Sequence, residues 1–153
     1  MLFRISSFLL FFTCSEILAK PIDLFFGTGG RNSEGIYHAT FNPENGKFTP
    51  AKLAAKIGSP GFLSMHPNGQ ILYSLGRWDG SAGTLGYRIG SKGELKEFTR
   101  MACPDGSGAH IAVHPSGRFL ITAQYGGGSV AIFPLNKDGH LQILFIFEQG
   151  VQN

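Results

Sequence analysis

His110 to Gly139 reads HIAVHPSGRFLITAQYGGGSVAIFPLNKDG. Three apolar runs, HIAVH, RFLITAQY and SVAIFPL, are divided by Pro115-Ser116-Gly117, by Gly126-Gly127-Gly128 and by Asn136-Lys137-Asp138-Gly139. Proline presets the dihedral of a turn's second position, and glycine supplies the positive φ a tight turn needs. The runs are β-branched, aliphatic or aromatic, which suits strands buried on both faces. A fourth run, LQILFIF from Leu141 to Phe147, completes a four-stranded antiparallel meander.

The same unit stands one period earlier. GFLSMHPNG (61–69) answers AHIAVHPSG (109–117), which sets His66 and His114 48 residues apart. ILYSLGRW (71–78) answers FLITAQYG, GTLGYRI (83–89) answers GSVAIFP, and Gly93-Glu94-Leu95 answers Gly139-His140-Leu141. Part of a third copy, GIYHATFNPENGKF (35–48), matches a third strand, turn and fourth strand, and DLFFG (23–27) supplies a second strand. GKFTPAKLAAK (46–56) is its outer strand, with Pro50 at the middle, where a sheet edge tolerates proline. A repeat of about 45 residues carrying four strands is the signature of a propeller blade. The expected fold is all-β, a β-propeller with about 2.75 four-stranded blades, where closed rings have about four to eight. The blades are expected at about 23–56, 61–102 and 109–150. Open faces at both ends predict self-association.

Twenty-two glycines and 15% charged residues among 153 fit many short strands and tight turns. The net charge is +3, and its basic residues are scattered, so the chain lacks a nucleic-acid patch. Met1–Arg4, the apolar FLLFFT of 8–13 and Ser15–Ala19 are the parts of a secretory signal ending at Ala19. That run is too short to span a bilayer. The mature chain is expected in the periplasm or outside the cell, free of the membrane, or in the cytoplasm if the signal is uncleaved. Removal of the signal takes Cys14 away, leaving Cys103 without a disulfide partner. With five histidines that do not cluster and one cysteine, neither a metal nor a cofactor is expected. GGGS (126–129) precedes no helix and is not a phosphate loop.

Alternating strand direction sorts the turns to two ends. One end gathers Arg77-Trp78-Asp79, CPDGSGAH (103–110) and Gln124-Tyr125; the other gathers His66, His114 and His140. Ligand sites in propellers lie where inner-strand ends surround the channel, so the first group is the candidate site. His110 is the candidate acid–base group, since imidazole titrates near neutrality. Arg77 offers a planar fork for a carboxylate or phosphate, and Gln124 and Tyr125 are candidate substrate contacts. His66 and His114, each before a proline, read as turn residues.

GIYHATFNPENGKFT, SPGFLSMHPNGQILYSL and GAHIAVHPSGRFLITAQYGGGSVAIFPLNKDGHL together resemble the lactonase family of seven-bladed propellers. These are cycloisomerase-type 6-phosphogluconolactonases, with carboxymuconate lactonising enzymes as relatives. The resemblance runs from Asp23 to Gly150. It implies hydrolysis of a sugar-acid lactone, with a small anionic lactone as substrate and His110 at a matching channel position. Where the family usually has Asn before YGGGS this chain has Gln124, and where it usually has Asn-Glu it has Gly76-Arg77. The family's later histidine-rich stretch would fall beyond Asn153, which predicts a truncated, inactive form of such an enzyme. A non-catalytic exported module presenting a binding surface is the alternative, as is a carboxymuconate-type isomerase.

Overall fold

The computed structural model describes residues 19–30, 32–103, 106, 108–142 and 145–148. Nearly all of the stretch read as an export signal, Cys14 included, lies outside them, as do Pro104, Asp105 and Ser107 of the candidate loop. Three four-stranded antiparallel sheets follow one another along the chain. The first comprises β1 (Ile22–Gly27), β2 (Gly35–Asn42), β3 (Lys47–Phe48) and β4 (Lys52–Lys56). The second is β5 (Leu63–Met65), β6 (Ile71–Trp78), β7 (Ser81–Ile89) and β8 (Leu95–Ala102). The third is β9 (Gly108–Val113), β10 (Phe119–Gln124), β11 (Ser129–Pro134) and β12 (Phe145–Glu148).

Strands β3 and β4 are two pieces of one outer strand, since both pair with β2. The break falls around Pro50, which has no N–H to give to a ladder. Thr49 carries the pairing across it: its amide donates to Thr40 O at 2.9 Å, and its hydroxyl oxygen accepts from Thr40 N at 2.9 Å. Among the described residues a bridge joins Leu135 to Leu141 and β12 pairs with β11 over Phe145–Glu148; Ile143 and Leu144 of the run expected from 141 to 147 lie outside them.

The sheets stack on one another through opposite sides of the middle one. On β6, Ile71, Tyr73 and Leu75 point toward the third sheet and join Ile111, Leu120, Ala131 and Phe133 in one core. The intervening Leu72 points the other way, into a second core with Ile36, Ile57, Leu85 and Tyr87. Six consecutive β6 residues, Ile71–Gly76, are therefore buried. The third sheet reads differently: on β10, burial alternates residue by residue. Leu120 is fully covered, whereas Ile121 is 39% exposed. Both-face burial, expected for this sheet from its continuous apolar runs, is realised only in the sheet with neighbours on both sides. For the same reason Ile132, paired with Ile121 on the open side, is half-buried; Val113, opposite Leu120 on the covered side, is half-buried against the core at the inner edge of the sheet.

The turns sort to two ends as the strand directions require. His66 and Gly117 meet at one end, where the His66 Nε2–H donates to Gly117 O at 3.1 Å. The proton lies on Nε2 because Nδ1 accepts from Asn68 N at 3.2 Å. The other end holds the β6–β7 hairpin, the inner-strand starts and the glycine run after β10.

Candidate functional site

The β6–β7 hairpin ends the second sheet with a two-residue turn. Asp79 and Gly80 both have positive φ, 46° and 78°, the geometry whose twist matches the flanking strands. This turn fixes Arg77 and Trp78 at the lip of the sheet. Arg77 is held by its backbone as well: its amide donates to Gly58 O at 2.8 Å, and Gly58 N donates back to Arg77 O at 3.2 Å. The pair ties the linker between the first two sheets to β6. Gly76 allows the close fit, because a Cβ there would stand 2.6 Å from Ile57 Cγ1 and 2.7 Å from Leu85 Cδ1. A larger side chain at 76, such as the asparagine usual in the family, has no room on this side of β6.

Arg77 borders three adjoining hollows at this end. One of about 290 Å³ lies among Ser59, Gly61, Phe62, Leu75 and Gly108. A second of about 470 Å³ is walled by Trp78, Asp79, Glu97 and Arg100, and a third of about 310 Å³ by Gly80, Ala82, Cys103 and Gly106. Cys103 is buried and in no disulfide among the described residues, and its amide donates to Ala82 O at 2.8 Å.

The other expected site residues separate. His110 sits on β9 opposite Ala123, on the open side of the third sheet, with its ring 5.6 Å from that of Phe62. Gln124 and Tyr125, adjacent in sequence, part completely. Gln124 is 3% exposed and turns toward the second sheet, where its Nε2–H donates to Thr122 Oγ1 at 2.6 Å. Its Oε1 is buried without a partner among the described residues. Tyr125 is 89% exposed in the glycine turn.

Two residues of the site were not singled out in the sequence. Arg100 and Glu97 lie on β8 and form a two-pronged pair, with Arg100 Nη2 donating to Glu97 Oε2 at 2.9 Å. The hydrogen bond that Arg100 donates to Glu97 raises the Arg100 pKa above the usual guanidinium value. Arg100 also stands 5.3 Å from the centre of the Trp78 ring, a cation–π distance. The signal available was the three-residue spacing. On a regular strand it would put the two residues on opposite faces, but the register shift at Gly86/Tyr87 lies between their partners.

This end thus presents the Arg77 guanidinium at its lip, beside the Glu97–Arg100 pair. Imidazole chemistry is available only at His110, toward the open side.

The fold has close counterparts. The periplasmic gluconolactonase of Pseudomonas aeruginosa superposes with a TM-score of 0.77 at 23% identity, covering 85% of this chain and 39% of that one. The 6-phosphogluconolactonase of Bacillus subtilis (strain 168) is 37% identical over 111 residues, 72% of this chain and 32% of the relative. That of Formosa agariphila is 27% identical over 118 residues, 75% of this chain and 33% of the relative. The chain therefore spans about a third of the length of the curated relatives it matches. The profile described as Lactonase, 7-bladed beta-propeller matches residues 23–150, nearly the whole of the described chain. With three stacked four-stranded antiparallel sheets and this match, the chain belongs to the lactonase family of seven-bladed β-propellers.

Proposed function

We propose that this protein acts in hydrolysis of a sugar-acid lactone, with Arg77 holding the substrate's acidic group and His110 serving proton transfer or carbonyl polarisation. The observation that carries this reading is the position of Arg77, at the junction of three hollows on the end where the inner strands begin. Water attack on a lactone carbonyl develops an oxyanion, and catalysis requires groups that bind it more strongly than the ground state. An arginine fork beside the ring positions an anionic substrate for that attack. Tyr125, exposed in the glycine turn, is the proposed outer contact; Gln124, expected as a substrate contact, is buried against Thr122 and is proposed only to position that strand end.

The test is a chimera in which residues 23–150 replace the matching stretch of the Bacillus subtilis 6-phosphogluconolactonase, assayed on 6-phosphogluconolactone and on gluconolactone. His110→Ala should lower its turnover about 10²–10⁴-fold, the usual range for an acid–base group. Arg77→Ala should instead raise KM roughly ten- to a hundredfold, the weight of a charge-assisted hydrogen bond. A chimera that is folded and inactive would overturn the reading. The 153-residue chain by itself should show no turnover above spontaneous hydrolysis, because its three described sheets are fewer than the seven blades of the family's ring. We also propose export through the amino-terminal signal; the mature protein should then begin at Lys20, as amino-terminal sequencing of a secreted form would read.

A further inference from the structure

We propose that the hollow where the end of β4 meets β8 and the β6–β7 hairpin is a second binding site, one that takes a neutral sugar.

Its walls come from three stretches that are far apart in the chain. Glu34 and Lys56 stand together because Gly35, which begins β2, pairs with Lys56 at the end of β4. Trp78 and Asp79 belong to the β6–β7 hairpin, and Glu97 and Arg100 to the outer strand β8. Backbone bonds hold these pieces in place. Ile57 N donates to Glu34 O at 3.2 Å, and Gly58 and Arg77 exchange amide bonds at 3.2 and 2.8 Å. The hollow of about 470 Å³ falls in the range of small-molecule sites, roughly 300–1,000 Å³.

The charges on its walls argue against a charged occupant. Among the described residues the lining has three cations, Lys56, Arg77 and Arg100, and three carboxylates, Glu34, Asp79 and Glu97. Lys56 Nζ lies 3.3 Å from Glu34 Oε2, and Arg100 donates to both oxygens of Glu97. Asp79 adds its negative field at Arg100. An anion drawn to either of these cations must displace a carboxylate fixed to the chain, and a cation must displace a fixed ammonium or guanidinium. A sugar hydroxyl displaces neither. It donates to a carboxylate and accepts from a guanidinium, and a paired carboxylate keeps lone pairs to spare.

The same walls carry apolar surface for the C–H groups of a sugar ring, supplied by Ile57 and Trp78. Trp78 is braced by Arg100, 5.3 Å from its ring centre. Glu97 also stands opposite Tyr87 in the β7–β8 ladder, and the Tyr87 hydroxyl is buried with no partner among the described residues. This wall thus offers more polar groups than the chain pairs internally. Arg77 is shared with the two hollows on its other side, but the occupant differs in class from the anionic substrate proposed above.

Trp78 is the sole tryptophan of the chain, so its emission reports on this hollow directly. Titrating the full 153-residue chain with glucose or maltose should change that emission saturably, with a midpoint at about 1–10 mM for ligands of this size. Gluconate and glucose 6-phosphate should bind about tenfold more weakly, and glycerol at equal concentration should leave the emission unchanged. Glu97→Gln should raise the sugar midpoint roughly tenfold, the weight of a hydrogen bond to a charged group. Lys56→Met, at a side chain that is 76% exposed, should also raise it. It stands in if circular dichroism shows the first variant unfolded. Calorimetry on the same samples reads binding that leaves the indole undisturbed. No saturable response to either sugar by both methods overturns the proposal, as does a response that both variants leave intact. Tighter binding of the two anions also overturns it, by giving this hollow to the acidic substrate. No readout here involves turnover, so failure of this test and failure of the lactonase chimera are separate results.

Discussion

Phe62 and His110 occupy the same position in successive repeats, and their rings meet at 5.6 Å. Phe62 precedes β5 and His110 lies on β9, so each inner strand presents one ring to the next sheet. His110 has Phe62 behind it, and its forward side is open. A residue chosen for its chemistry is thus also a member of a packing series, and its forward neighbour decides its surroundings.

The core between the second and third sheets should be sensitive to truncation. Leu120 is fully buried among Ile71, Tyr73 and Phe133. Leu120→Ala should cost about 2–5 kcal/mol, at the high end if the two sheets cannot close the cavity. Urea unfolding with an unchanged slope would read this directly.

Tyr73 links stability to alkaline pH. Its hydroxyl donates to Gly139 O at 2.6 Å, and burial pushes its pKa up to about 12 from 10.0, with Arg88 opposing in part. A group whose folded pKa is raised stabilises the fold fully below its unfolded value and loses that contribution as pH climbs through the folded one. Wild-type stability should therefore fall between pH 10 and about 12. Tyr73→Phe should be weaker at neutral pH by about 1–3 kcal/mol, for a buried carbonyl left unpaired. Its further decline across that alkaline window should be shallower than the wild type's in thermal melts.

The β7–β8 ladder should not admit a methyl group at Gly83. A Cβ there would lie 2.2 Å from Met101 O and 2.8 Å from Ala102 Cα, and both are backbone atoms that cannot swing aside. Gly83→Ala should destabilise by about 1–3 kcal/mol or more. Gly29→Ala, which meets nothing within 4 Å, is the matched control and should leave the melting temperature nearly unchanged.

The two turn histidines should differ although their turns match. His66→Ala loses the bond to Gly117 across the sheet interface as well as the Asn68 contact in its own turn, and should cost about 1–2 kcal/mol. His114 makes its contacts with Ser116 in its own turn, so His114→Ala should cost less. Chemical denaturation of the two variants side by side would compare them.

Turn positions, strand order and the all-β class were legible in the sequence because their causes are local. Pro115-Ser116-Gly117 must turn whatever surrounds it, and the apolar runs between turns need extended backbone. The sorting of Arg77 and His66 to opposite ends followed from strand alternation alone. Only the tertiary structure decided what each apolar position became. Tyr73 and Ile121 hold one repeat position, yet the first is sealed by a neighbouring sheet and the second is exposed, since burial depends on a surface distant in the chain. Gln124 and Tyr125 were read as one pair, but the pleat and the bulge at Ala123/Gln124 sent one side chain inward and the other to solvent. Arg100 was invisible for the same reason: an outer strand reaches the end of Arg77 only once the sheet has formed and its register has shifted.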